Sequence, residues 1–106
     1  MYASQQQPET YLATHYGAQY NGSKLGCPGT GVYSSSDISI AAVGPNDYAR
    51  WPCGTSLLIT GPNGSIQVTR QDSCPGCNGM VDLSEAGHER VCGVGTCIVE
   101  IQLNDK

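Results

Sequence analysis

Six cysteines in a chain of 106 residues that contains no phenylalanine restrict what can fold here more than any other feature. A chain of this size buries roughly two thirds of its unfolded surface, and Leu, Ile and Val together number only 19. Covalent cross-links are therefore expected to supplement a thin core, which points to an oxidising, extracellular setting. One domain is expected. The 5 basic residues against 9 acidic ones, for a net charge of −4, supply no basic stripe. Nucleic acid and anionic membranes are thereby set aside as partners. No apolar run approaches the ~20 residues that span a bilayer. No signal peptide is visible either, so Met1 reads as the start of a mature chain and secretion is inferred from the cysteines alone.

Residues 1–10, with Gln5, Gln6, Gln7 and Pro8 and no apolar periodicity, read as a flexible arm ahead of a domain at 11–106. Residues 11–16 form a short strand that stops at Gly17, and the Gly- and Ser-rich stretch 21–36 is a long loop that a disulfide must hold. Residues 38–43 form another strand, ended by Gly44-Pro45-Asn46-Asp47. The clearest pattern is a hairpin, with runs 57–60 and 65–70 around Gly61-Pro62-Asn63-Gly64 and with Ile66 and Val68 on one face. Asp82-Leu83-Ser84-Glu85 fits a capping box with Asp82 as N-cap, opening a short helix to about Arg90. The alternating run 98–103 supplies a last strand. Five or six short strands and one helix suggest a closed barrel, because closure removes exposed edges.

Cys74 and Cys77 form a Cys-x-x-Cys knuckle that, with Cys92 and Cys97, has the composition of a four-thiolate zinc site. The second pair is spaced more loosely than a knuckle, however, and Cys27 and Cys53 would be left over. Three disulfides use all six. The pairing expected is Cys27 with Cys53, and Cys74 and Cys77 each with one of Cys92 and Cys97, in either order. Neither metal nor cofactor is expected, and a redox role for Cys74 and Cys77 lacks the βαβ context of thioredoxin-like motifs.

Three motifs then carry a likeness: Ala13-Thr14-His15-Tyr16-Gly17, the run from Val68 to Cys77 containing Asp72-Ser73-Cys74-Pro75-Gly76-Cys77, and Val81-Asp82-Leu83-Ser84. Together they resemble the double-psi β-barrels of the expansin-like, barwin-like and lipoprotein-A-like superfamily, including the small secreted bacterial inhibitors of papain-like proteases. The resemblance implies a mainly-β, disulfide-stapled, six-stranded double-psi barrel with one or two short helices. It also carries over Thr14, Tyr16 and Asp72 as groove residues, with a polysaccharide as a possible ligand. The expected function is a secreted, monomeric, non-catalytic inhibitor that blocks the cleft of a papain-like cysteine protease with rigid loops. The alternatives are an expansin-like glycan-binding or wall-loosening module using Asp72, and a barwin- or kiwellin-like interaction protein.

On the residues themselves, Asp72 divides evenly between a general acid in a groove and a turn residue accepting backbone N–H bonds. Hydrolysis normally needs a second carboxylate, and the capping box accounts for Asp82. Trp51 offers a stacking face, although a tyrosine such as Tyr16 on a strand is more often packing than platform. His15 alternates away from Thr14 and Tyr16, and His88 reads as a solvated helix residue. With every cysteine in a disulfide, Cys–His nucleophilic catalysis is rejected. Net acidity and the lack of a wall-anchoring domain weigh against the glycan reading. Finally, Gln5, Gln6 and Gln7 are possible acyl donors for a transglutaminase, against the simpler expectation of an inert tail.

Overall fold

The computed structural model describes residues 9–104. Its architecture follows from apolar residues at every second position of short segments, which turns one face of each inward. Tyr11 and Ala13 are buried in β1 (Glu9–Tyr16), Ala41 and Val43 in β2 (Ile40–Val43), and Leu57 and Ile59 in β3 (Ser56–Gly61). The pattern continues with Ile66 and Val68 in β4 (Gly64–Ser73), Val81 and Leu83 in β5 (Met80–Ser84), and Val99 and Ile101 in β6 (Cys97–Leu103). One helix, α1 (Glu85–Cys92), and 3-10 turns at Ala18–Tyr20 and Pro45–Asp47 complete the regular elements among the described residues. The strands close in the order β1-β5-β2-β4-β3-β6. Pairs β1/β5 and β2/β4 are parallel, while the remaining neighbours are antiparallel.

β3 and β4 form the expected hairpin, joined through Pro62-Asn63 with Gly61 opposite Gly64. β1 begins at Glu9, whereas Gln5, Gln6 and Gln7 lie outside the described residues. The helix differs from its sequence reading. Asp82 lies inside β5, hydrogen-bonded between β1 and β2, and the N-cap is Ser84, whose Oγ accepts from the Gly87 N–H at 3.1 Å. Two strand ladders satisfy the backbone of Asp82 and Leu83 more fully than one local cap would.

All six cysteines are paired, but only Cys27–Cys53 matches the expected map. The other two bridges are local, Cys74–Cys77 and Cys92–Cys97, rather than crossed between those pairs. The Pro75-Gly76 turn, closed by the Cys77 N–H to the Cys74 carbonyl at 3.0 Å, brings the first two Cα atoms to 5.3 Å. A tight return from α1 into β6 brings the other two to 5.4 Å. Both lie inside the range a disulfide spans.

The long loop before β2 is more than surface. Leu25 and Tyr33 are buried and, with Ile40, form a second small core on which Tyr16 packs. Trp51 is also buried. It packs on Tyr11 with ring centroids 5.5 Å apart and lies beneath the Arg50 guanidinium, so it offers no stacking face to a ligand. Beside it the Tyr11 hydroxyl donates to the buried Asp47 carboxylate at 2.7 Å. Burial, reinforced by Asp47, pushes Tyr11 up to about 12 and keeps it a donor. Two glycines are required by close approach: a Cβ on Gly44 would fall on the Cys77 carbonyl, and one on Gly61 on the Val91 carbonyl.

Candidate functional site

A lateral row crosses the sheet at one end of the barrel. Thr14 of β1 stands opposite Asp82 of β5, Asp82 opposite Ala42 of β2, and Ala42 opposite Asp72 of β4. Neighbouring strands lie about 4.8 Å apart, so the two aspartates are set about two strand spacings from one another with only the small Ala42 between them. A register shift makes this possible: Ala41 pairs with Arg70 but Ala42 with Asp72, which leaves Gln71 as an extra residue. Such a bulge re-aims the side chain that follows it. Arg70 remains buried, its guanidinium over the Tyr48 ring and donating to the Asp72 carbonyl at 3.0 Å and Ser73 Oγ at 2.7 Å.

Tyr16, Tyr20, Tyr33, Lys24, Asp72 and Asp82 line a cleft of about 390 Å³ over this row. Tyr16 and Tyr33 are stacked with centroids 4.1 Å apart, and the Tyr33 hydroxyl donates to the Tyr16 carbonyl. The sequence-predicted residues Thr14, Tyr16 and Asp72 are thus brought together. Thr14 Oγ1 donates to Asp82 at 2.8 Å, and Tyr16 Oη donates to Asp72 at 3.0 Å. Desolvation, followed by the Asp72 and Asp82 charges, raises Tyr16 far above the ordinary range of a phenol. Asp82 is raised above the usual carboxylate range, chiefly by desolvation and also by Asp72, with the Thr14 hydrogen bond and His15 opposing. Tyr20, Lys24, Tyr33 and Asp82 are the members that sequence reasoning missed. The signal for Asp82 was its position between the inward-facing Val81 and Leu83.

Asp72 is heavily engaged. Besides Tyr16 at Oδ2, its Oδ1 accepts from the backbone N–H of Gly26 at 2.6 Å and of Ser73 at 2.9 Å. Its turn-capping role is therefore present, and the same carboxylate fastens the 21–39 loop to the end of β4. Replacing Asp72 with alanine is expected to leave three donors without a partner and to cost roughly 1–3 kcal/mol. Amide hydrogen exchange should show the loss concentrated at Gly26 and its neighbours.

The histidines form a separate pair. His15 lies off the groove, as its alternation implies, and its ring is 4.6 Å from that of His88. His88 is only 3% exposed and its Nε2 has no partner among the described residues, contrary to the solvated position expected, because α1 lays this face against β1. Burial, then His15, lowers His88 below its ordinary value of 6.5, while a hydrogen bond with the Ala13 backbone opposes the shift. A base depressed in the folded state contributes stability above pH 6.5 that is lost as pH falls toward its folded value. The urea midpoint should fall on going from pH 7.5 to pH 5, and the slope should flatten in His88→Gln.

No family model matches the chain, and no curated protein matches it in sequence. Solved structures do. The closed six-stranded barrel, together with its likeness to these structures, makes the fold a double-psi β-barrel. It is similar to apo Clavibacter michiganensis expansin at 27% identity and a TM-score of 0.76, over 94% of this chain and 52% of that one. An aspartate-to-asparagine mutant of the same expansin, in complex with cellohexaose, matches at 27% identity and a TM-score of 0.75 over 93% of this chain and 51% of that one. The chain thus spans about half the length of the expansin. The Streptomyces papain inhibitor matches at 24% identity and a TM-score of 0.64, covering 91% of this chain and 94% of that one.

Proposed function

We propose that this barrel is a secreted, non-catalytic binding protein that inhibits papain-like cysteine proteases by filling their cleft with preformed loops. The observation that carries this reading is the commitment of Asp72. A carboxylate has about four acceptor positions, and three are taken by the protein's own donors. A group used in this way serves to fix the 21–39 loop rather than to transfer a proton to a substrate. Together with the three disulfides, it gives loops that lose little conformational freedom on docking, which favours tight binding. The likeness to the Streptomyces papain inhibitor extends over almost the full length of that protein and supports the same reading. The test is titration of papain with the purified chain. Stoichiometric loss of activity is expected, and Asp72→Asn, which keeps an acceptor for Gly26 and Ser73, should inhibit equally well.

A second reading is favoured by Asp82, whose carboxylate lies in the cleft beside Tyr16 with Thr14 as its hydrogen-bonded partner, and by the expansin complex with cellohexaose. In this reading the cleft holds a glycan. Pull-down on insoluble cellulose and peptidoglycan decides it: retention that is lost in Asp82→Asn, with papain unaffected by the wild-type chain, would move the function to the groove.

A further inference from the structure

The inhibitory segment is not named by the protease reading itself, and the three cross-linked turns differ in what they present. Cys74–Cys77 encloses Pro75 and Gly76, and Cys27 is buried, with a glycine-rich turn following it. Cys92–Cys97 encloses Gly93-Val94-Gly95-Thr96, and Val94 at its tip is 100% exposed. Among the described residues the next most exposed large apolar side chains are Ile98 at 60% and Val32 at 56%. An aliphatic side chain held wholly in water contributes nothing to this fold, whereas burial in a partner's pocket would be favourable.

The backbone beneath Val94 is built to hold it out. Gly93 and Gly95 take φ of +74° and +81°, a region that L side chains rarely adopt, so the valine is raised between two left-handed residues. Both feet of the loop stand on regular structure. The Gly93 N–H closes α1 by donating to the Glu89 carbonyl at 2.9 Å, and Cys97 is in register with Ala13 of β1. Beside the loop a shallow depression of mixed character is lined by His15, Ser35, Ser36, Glu85, Ala86 and Glu89 and by the loop itself. None of its lining residues belongs to the Asp72 groove. An apolar anchor with a polar rim is the usual anatomy of a binding surface.

Resting on the protease reading, we propose that the Cys92–Cys97 loop is the inhibitory loop, with Val94 as the side chain that enters an apolar subsite of the protease cleft. The disulfide holds the loop in its bound shape and keeps its two halves joined. The Asp72 groove takes no part.

Papain inhibition constants for the full chain and its variants test this, with folding of each variant checked by near-UV circular dichroism. Val94→Asp should weaken inhibition on the order of 100-fold, as loss of a central anchor does, while Val94→Leu should stay within about tenfold, since one methylene is worth little more. Cys92→Ser with Cys97→Ser, which frees the loop but keeps Val94, should weaken it on the order of tenfold through added ordering cost. Unchanged inhibition by folded Val94→Asp would overturn the loop assignment and leave the protease reading intact. So would a larger loss in Val32→Asp than in Val94→Asp, because it would move the contact to the 21–39 loop. A wild-type chain without effect on papain would remove the protease reading, and the loop assignment with it.

Discussion

Replacing Cys27 and Cys53 together with serine is expected to lower the unfolding free energy by about 3–4 kcal/mol, the largest single loss among the three bridges. The bridge joins residues 26 apart in sequence, and the chain entropy it removes from the unfolded state grows with the logarithm of loop length. The local bridges, at separations of 5 and 3, should each contribute only about 2 kcal/mol by the same relation. Native contacts add to the difference. Cys27 is buried, and its N–H donates to the Gln71 carbonyl at 3.0 Å, so the bridge anchors the 21–39 loop beside the bulge that orients Asp72. Urea unfolding of the double variant should give a midpoint shift in that range with little change in the native circular dichroism spectrum. A loss smaller than that of Cys92→Ser with Cys97→Ser would contradict the ranking.

Gly44→Ala should also be costly, at roughly 2–3 kcal/mol or more, although alanine is ordinarily the mildest of substitutions. The φ of −88° at Gly44 suits any residue, so the penalty is steric. The new methyl would occupy the position of the Cys77 carbonyl, and the Cys74–Cys77 turn cannot retreat freely because Cys74 is held by its N–H to the Val43 carbonyl at 2.9 Å. Overpacking of this kind is relieved only by moving backbone. Gly76→Ala, with open space around its Cβ position, is the control and should be close to neutral. Equal melting temperatures for the two variants would show that the turn yields more easily than its contacts imply.

The contrast between Gly44 and its sequence reading illustrates what a linear chain reveals. As part of Gly44-Pro45-Asn46-Asp47 it reads correctly as punctuation after β2, yet its necessity comes from Cys77, which reaches it only through the parallel pairing of β2 with β4. The β3–β4 hairpin was legible because alternation and turn chemistry are local, and β6 because its alternation is uninterrupted. β5 was hidden, because Asp82-Leu83-Ser84-Glu85 satisfies both a strand period and a capping box, and the choice falls to distant partners in β1 and β2. For the same reason Asp72 was identified and Asp82 was not. The bulge at Gln71, which brings both carboxylates to one cleft, has no signature in single-residue propensities. The burial of His88 likewise depends on where α1 lands, and the bridge pairing on turns whose closure only the fold reveals.

The strand order also imposes a schedule. β1 is flanked in the finished barrel by β5 and β6, so this strand has no neighbour in the sheet until the last two strands of the described residues are available. The β3–β4 hairpin can form at once, within microseconds for a turn of this kind, whereas the parallel pairs wait for longer closures, from Ile40 to Thr69 for β2 with β4 and from Leu12 to Met80 for β1 with β5, which places such topologies in the millisecond-to-second range. During that interval the thiols of Cys74 and Cys77, and of Cys92 and Cys97, are each other's nearest neighbours along the chain, while Cys27 must find Cys53 across a long intervening segment. By chain entropy alone the two short-range bridges therefore close more readily than the long one, although Cys27 and Cys53 both precede β3 and can meet before the strands that complete the barrel wall are available.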